Sequence, residues 1–308
     1  MGLLVVLGIL WGSTFPIVRM GIDAGADPFL LVTVDFLLAA ALAFLVAAFS
    51  RSTRPPVREL GISAGLGALM IGGINIPLFW GMQFATGGAA AIVYATAPAI
   101  SLLVLFLLHR AARPSALRLG GLALGIAGVL ALSLAASSGG PITNDWALVA
   151  FGIGAICQGT GAVLLAQYRP HGEGRWGQAA QFSGAAGLGL ATLPFLARSF
   201  ALPASPAVVG SVLYFALVSM VVGYTLYFEL VRRTGPVSAN LVTFLNPVVA
   251  LIVGVLAFGE TFGTAELVGL ALVLVALVLL ELPVRHPRPE RPGENAGAGL
   301  GARPLLRR

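Results

Sequence analysis

Lysine is missing from this sequence, and charge of either sign is scarce. Eighteen arginines and twelve acidic residues make the 308-residue chain 10% charged, against roughly 25% in soluble domains. So few charges cannot cover a soluble protein of this length, and the soluble classes are excluded. Basic residues drawn from Arg alone are the mark of a GC-rich coding sequence, which points to a bacterium. Cysteine is nearly absent. Cys157 stands alone in an apolar segment, so no intramolecular disulfide forms and the redox compartment is not readable. Histidine occurs three times, as His109, His171 and His286, at the edges of apolar segments or between them. No Cys/His cluster has zinc spacing and no Walker-type phosphate loop is present, so the sequence asks for no metal, nucleotide or other cofactor. Two carboxylates do not occur together inside the membrane, which removes the parts of a membrane hydrolase.

What remains is apolar. Hydrophobic residues make up 58% of the chain, and the mean hydropathy is +0.95. A spanning helix needs about 20 mostly apolar residues. Ten segments meet that need: 2–22, 29–49, 60–82, 87–108, 117–136, 146–167, 176–196, 207–231, 237–258 and 265–282. Connections between them are short and leave no room for a soluble domain. Residues 283–308 turn to Pro, Gly, Arg and Glu and read as a disordered tail. A β-barrel would alternate polar and apolar residues in segments of about 10, and these segments do not. No cleavable signal peptide is evident, because no basic residue precedes the first apolar run.

Arginine placement gives the orientation. Loop and tail residues Arg51, Arg54, Arg58, Arg110, Arg113, Arg169, Arg175, Arg232 and Arg233, with Arg118 and the six tail arginines, put sixteen on one side. Only Arg19 and Arg198 fall on the other. By the positive-inside rule the Arg-rich side is cytoplasmic, and both termini are expected there. The lipid partner is thus a bacterial plasma membrane. The net charge of +6 does not argue for nucleic acid, since these arginines lie in short loops and the tail.

The chain also repeats. Residues 98–127 align with 247–276 at an offset of 149, matching Pro98 with Pro247, Leu102 with Leu251, Gly120 with Gly269 and Ala127 with Ala276. At an offset of 146, Gly8 matches Gly154, Thr14 matches Thr160 and Phe36 matches Phe182. Five helices is an odd number, so the second unit enters the membrane upside down. The expected fold is an all-α integral membrane protein of ten transmembrane helices in two inverted five-helix repeats, 2–136 and 146–282. Such repeats are a transporter architecture, with substrate held near the midplane between them.

Three stretches carry a family resemblance. WGSTFPIVR (11–19) resembles the motif that opens each half of EamA-type transporters of the drug/metabolite transporter superfamily; TAPAISLLVLFLL and FLNPVVALIVGVLAFGE resemble its fourth and ninth helices. The resemblance spans residues 2–282 and implies movement of small metabolites or drugs, often outward. The sequence departs from the family pattern at Ala111, where a Glu is usual, at Asp35, where an Arg is usual, and at Cys157–Thr160, where a Trp-Gly pair stands in the first half.

Polar residues inside apolar segments are the site candidates. In 11–19, Pro16 frees the Gly12 carbonyl and should bend or open the helix. Broken backbone at membrane depth is tolerated where it is packed in protein or lines a watery cavity. Trp11, Thr14 and Phe15 are therefore expected near substrate, or else in a packing kink where Ser13 and Thr14 bond back to the helix. Asp35 lies about 9 Å into the second helix at 1.5 Å per residue. Its expected partner is Arg19, in a static ion pair or a protonation site that couples transport. Asn75, Phe79, Tyr94, Gln158, Tyr224, Tyr227, Asn240 and Asn246 complete the expected substrate wall, with Gln181 and Thr243 as further polar positions. Glu229 precedes Arg232 and Arg233 at helical ion-pair spacing. An aromatic, amide-bearing, almost uncharged cavity suits a small neutral, zwitterionic or amphipathic solute such as an amino acid, moved by alternating access and in the export direction. The other class left open is a non-transporting membrane subunit or a membrane enzyme, and a homodimer is also left open.

Overall fold

The structure, a computed structural model, describes residues 2–50, 52–84, 90, 93–109, 115–136, 144, 146–169, 174–246, 248–249, 252 and 264–281. Among these residues every regular element is helical. The elements are α1 (Gly2–Asp23, broken at Ser13), α2 (Pro28–Phe49), α3 (Val57–Gly81), α4 (Ala97–His109) and α5 (Ala116–Ala136), followed by α6 (Trp146–Tyr168), α7 (Arg175–Leu196), α8 (Pro206–Thr234), α9 (Pro236–Asn240) and α10 (Thr264–Glu281). Six of them, α1, α2, α3, α6, α7 and α8, are long and apolar enough to cross a membrane. Shorter apolar stretches run over Ala97–Leu108, Leu119–Gly128 and Ala271–Leu280. The expected fourth and ninth helices are described only in part, since 85–89 and 253–263 lie outside the described residues. Residues 283–308 lie outside them too.

The exterior is apolar, as lipid allows, and small residues share the core with large ones. Small residues such as Ala39, Ala43, Ala179 and Ala185 are buried, while Phe49, Leu107, Phe195 and Ile156 stand exposed on the exterior. In lipid no hydrophobic effect draws helices together, so close van der Waals approach of small residues must do it. The contact of α3 with α7 shows this. A Cβ at Gly67 would sit 1.9 Å from the Gln181 carbonyl oxygen, and one at Gly184 would sit 1.8 Å from that of Ala64. The GxxxG pair on α1 works the same way: Gly8 faces Leu245, and Gly12 faces Val249.

Three irregularities position the site. α1 breaks at Ser13, three residues before Pro16, which has no N–H to give the Gly12 carbonyl. α3 carries a π-helical stretch at Ala68–Gly72, and α8 carries one at Tyr214–Gly223. Asp27 fixes one end of this frame. Its carboxylate caps α2, accepting from the Phe29 and Leu30 N–H groups, and reaches across to the Arg198 N–H at 2.8 Å. The start of α2 and the end of α7 therefore share one face of the molecule.

Candidate functional site

At the break in α1 the displaced groups find partners on α8. Ser13 Oγ donates back to the Ile9 carbonyl at 2.8 Å, and Thr14 Oγ1 donates to that of Leu10 at 3.1 Å. Thr14 Oγ1 also lies 3.1 Å from Ser219 Oγ. The Trp11 indole N–H donates to the Ser219 carbonyl at 3.1 Å, and Tyr214 donates its hydroxyl to the Leu10 carbonyl at 3.1 Å. Ser219 belongs to the π stretch of α8, so irregular backbone on one helix answers irregular backbone on the other. Gly223 makes room for the indole, since a Cβ there would come 2.5 Å from Trp11 Nε1. Trp11 then lies against Tyr224 and Tyr227, with ring centroids 5.2 and 5.1 Å apart.

These residues wall a cavity with an empty volume of about 530 Å³, its open mouth included. Trp11, Thr14 and Phe15 come from α1, Asn75 from α3, and Tyr94 from the helical residues just before the turn that leads into α4. Gln158 of α6, Tyr224 and Tyr227 of α8, and Asn246 complete the opposite side. No Asp, Glu, Arg or His lines it among the described residues. Such a wall can stack on apolar or π surface and exchange a few hydrogen bonds, and it offers no counter-charge.

Behind the wall, hydrogen bonds fix the polar tips. Asn75 Nδ2 donates to the Ile71 carbonyl at 2.8 Å and to the Tyr224 hydroxyl at 3.1 Å. Tyr94 donates to the Ile74 carbonyl at 2.8 Å. Asn240 is the hub. Its Oδ1 accepts from Tyr227 at 2.6 Å and Gln158 at 3.3 Å, while its Nδ2 donates to Ser101, which donates in turn to the Gly159 carbonyl.

Nine of the eleven expected substrate-wall residues face this one cavity, and two do not. Phe79 is fully buried one layer back, packed edge-on against Phe215 at 4.9 Å. Asn240 is spent on the network behind the wall. At about 100° per residue Phe79 falls past the edge of the Ile74, Asn75 and Leu78 face of α3, and Asn240 is held behind the wall by its bonds to Tyr227, Gln158 and Ser101. Thr243 is likewise turned inward, bonded to the Asn240 carbonyl. The expected Asp35–Arg19 pair is not formed. Arg19 pairs with Asp23, one turn along its own helix at 2.8 Å, and donates to the Met82 carbonyl at 2.6 Å. An exposed arginine reaches its same-helix neighbour with less ordering than a carboxylate inside the bundle. Asp35 is 1% exposed, and neither of its oxygens has a hydrogen-bond partner among the described residues. Glu229 does bind Arg232 and Arg233, at the surface.

Five lining residues went unnoticed in the sequence: Ile74, Leu78, Phe215, Ser219 and Met220. Their signal was spacing. Ile74 and Leu78 share the Asn75 face of α3, and Phe215, Ser219 and Met220 extend the stripe of Tyr224 and Tyr227.

The comparisons with known proteins agree with this architecture. The family profile described as EamA-like transporter family matches residues 1–134 and 145–282. The uncharacterized inner membrane transporter YedA of Escherichia coli strain K12 is 30% identical over 91% of this chain and 90% of its own. A protein of Streptantibioticus cattleyicolor named as a probable terminal-alkyne amino-acid exporter is 28% identical over 90% of this chain and 91% of its own. A crystallographically solved protein superposes with a TM-score of 0.72 at 18% identity, over 91% of this chain and 95% of that one, a likeness of fold alone.

Proposed function

The chain belongs to the EamA-like transporter family, and from that premise we propose that it exports a small neutral or zwitterionic solute of the amino-acid class by alternating access. The observation that carries the substrate class is the cavity wall: aromatic rings and amides drawn from both halves of the chain, with no charged side chain among its described residues. A phosphate or dicarboxylate would want several arginines. The direction rests on the relative named as an amino-acid exporter, and the proposed topology has both termini cytoplasmic in a bacterial plasma membrane.

The proposed frame is ten spans in two inverted repeats, 2–136 and 146–282. Packing supports it. When each element is exchanged for the one five places on, the α2–α7, α5–α10 and α4–α9 pairings map onto themselves. The α1–α8 pairing exchanges with α6–α3, and α2–α8 exchanges with α7–α3. The π stretches obey the same rule, beginning at Ala68 and Tyr214, 146 residues apart. Close glycine contacts follow it to within one residue: Gly12 meets Val249, and Gly159, 147 residues after Gly12, meets Ile100, 149 residues before Val249.

Counterflow into proteoliposomes tests the substrate class, with neutral amino acids, sugars, nucleosides, a cationic dye and citrate as probes. Saturable exchange of a neutral amino acid is expected. Replacing Tyr94 or Asn246 with Ala should raise KM up to about ten-fold, since an aromatic contact or a hydrogen bond contributes about 1 kcal/mol. Strong exchange of citrate, undiminished in both variants, would sink the assignment.

A further inference from the structure

Among the described residues, two buried polar side chains stand outside the substrate wall with every polar atom unpartnered. They are Asp35 on α2, through both carboxylate oxygens, and Gln181 on α7, through both amide atoms. They are 1% and 0% exposed. They are also counterparts, since 181 − 35 = 146, the offset that pairs Phe36 with Phe182 and Gly8 with Gly154. The two halves thus keep a polar side chain at the same place, but only the first half makes it ionisable.

The helices around Asp35 explain how such a group could act on transport. α2 packs on α7, on the π stretch of α8 and on the Gly73–Gly81 part of α3. The last two supply Phe215, Ser219, Met220, Ile74, Asn75 and Leu78 to the cavity, so the helix that carries Asp35 packs directly behind the wall. No cation faces it from those elements. Arg175 opens α7, Arg58 and Glu59 open α3, and Glu229, Arg232 and Arg233 close α8, all at the ends remote from Asp27 and the start of α2. Of the α8 tyrosines, Tyr214 donates to Leu10, while Tyr224 and Tyr227 belong to the wall. Arg19 is taken by Asp23 and Met82.

We infer that Asp35 is the single binding site for a proton that this transporter couples to its substrate, with Gln181 as a counterpart that cannot carry one. This rests on the transporter reading above. A proton from water on one side forms an O–H bond with an Asp35 oxygen, which lets the carboxyl sit unpaired in the closed packing of α2 against α8. When that packing opens to the other side, the bond breaks and the proton leaves to water there. A bare carboxylate favours the opened, hydrated state, because burying an unpaired charge is costly.

Two measurements test this, the first independent of substrate. Infrared difference spectra of the purified protein in lipid, taken between acid and alkaline pH, should show a protonated-carboxyl C=O band that Asp35→Asn lacks; identical spectra would overturn the inference. The second uses L-leucine in proteoliposomes. Asp35→Asn should keep counterflow but lose accumulation driven by a pH gradient, falling to the level without a gradient, and Asp35→Glu should restore it. Undiminished gradient-driven accumulation in Asp35→Asn would overturn the proton site, as would wild-type accumulation driven equally by a sodium gradient. Failure of every counterflow probe in the wild type would count against the transport reading, and the infrared result would then decide the proton site alone.

Discussion

The Tyr227 hydroxyl donates to Asn240 Oδ1 at 2.6 Å, tying the cavity wall on α8 to the buried network around α9. The same oxygen accepts from Gln158, and the same amide reaches Ser101 on α4. One side chain therefore holds four elements in register.

Removing that side chain should destabilise the protein more than removing either of its donors. Asn240→Ala leaves the Tyr227 hydroxyl and the Gln158 amide without their acceptor, at about 1–3 kcal/mol for each group left buried and unpaired. Tyr227→Phe removes one donor and leaves Asn240 bonded to Gln158 and Ser101. Thermal unfolding of purified protein in detergent should rank wild type above Tyr227→Phe, and Tyr227→Phe above Asn240→Ala. Equal midpoints would mean the network is not structural.

Glycines at the α3–α7 contact should not tolerate even a methyl group. A Cβ at Gly184 would overlap the Ala64 carbonyl oxygen at 1.8 Å, so two backbones must separate. Overpacking of this kind costs about 1–3 kcal/mol, and Gly184→Ala should lower the unfolding midpoint. Gly187 on the same helix has nothing within 4 Å of its Cβ position. Gly187→Ala should leave the midpoint unchanged or slightly raised, and a matching drop in both variants would refute the contact argument.

Topology is checked with single cysteines at the two ends of α7. In a Cys157→Ala background, Gly174→Cys and Ala201→Cys both place thiols at exposed positions. A membrane-impermeant maleimide added to whole cells should label Ala201→Cys and spare Gly174→Cys until the cells are opened. Labelling of both from outside, or the reverse pattern, would remove the proposed orientation.

Much of the fold was legible because lipid is an undemanding solvent to read. Apolar segments of spanning length need no knowledge of partners, and six of the ten read from the sequence appear as helices long and apolar enough to cross a membrane. The disruption in 11–19 was legible for an equally local reason, the missing N–H of Pro16. Even the hydroxyls of Ser13 and Thr14 bond back within their own helix. Trp11, Tyr94 and Asn246 could be singled out because aromatic and amide groups in an apolar helix need a partner or a cavity.

What the sequence by itself determined, then, is everything that follows from one helix in lipid: the apolar segments, the place where the first one breaks and the polar side chains that hydrocarbon would not accept. Only the tertiary structure decided which of those side chains face one another. The π stretch at Tyr214–Gly223 carries Phe215, Ser219 and Met220 into the cavity wall while Phe79 stays behind it, and no residue pattern announces that stretch. The same holds for Arg19 and Asp35. Their charges invite a pair on paper, but pairing depends on reach, and Arg19 finds Asp23 within one turn while Asp35 is buried on α2, which packs against α7, α8 and α3. Hydropathy is a property of each residue alone, whereas a hydrogen bond or an ion pair is a property of two positions in space, and packing sets the distance between them.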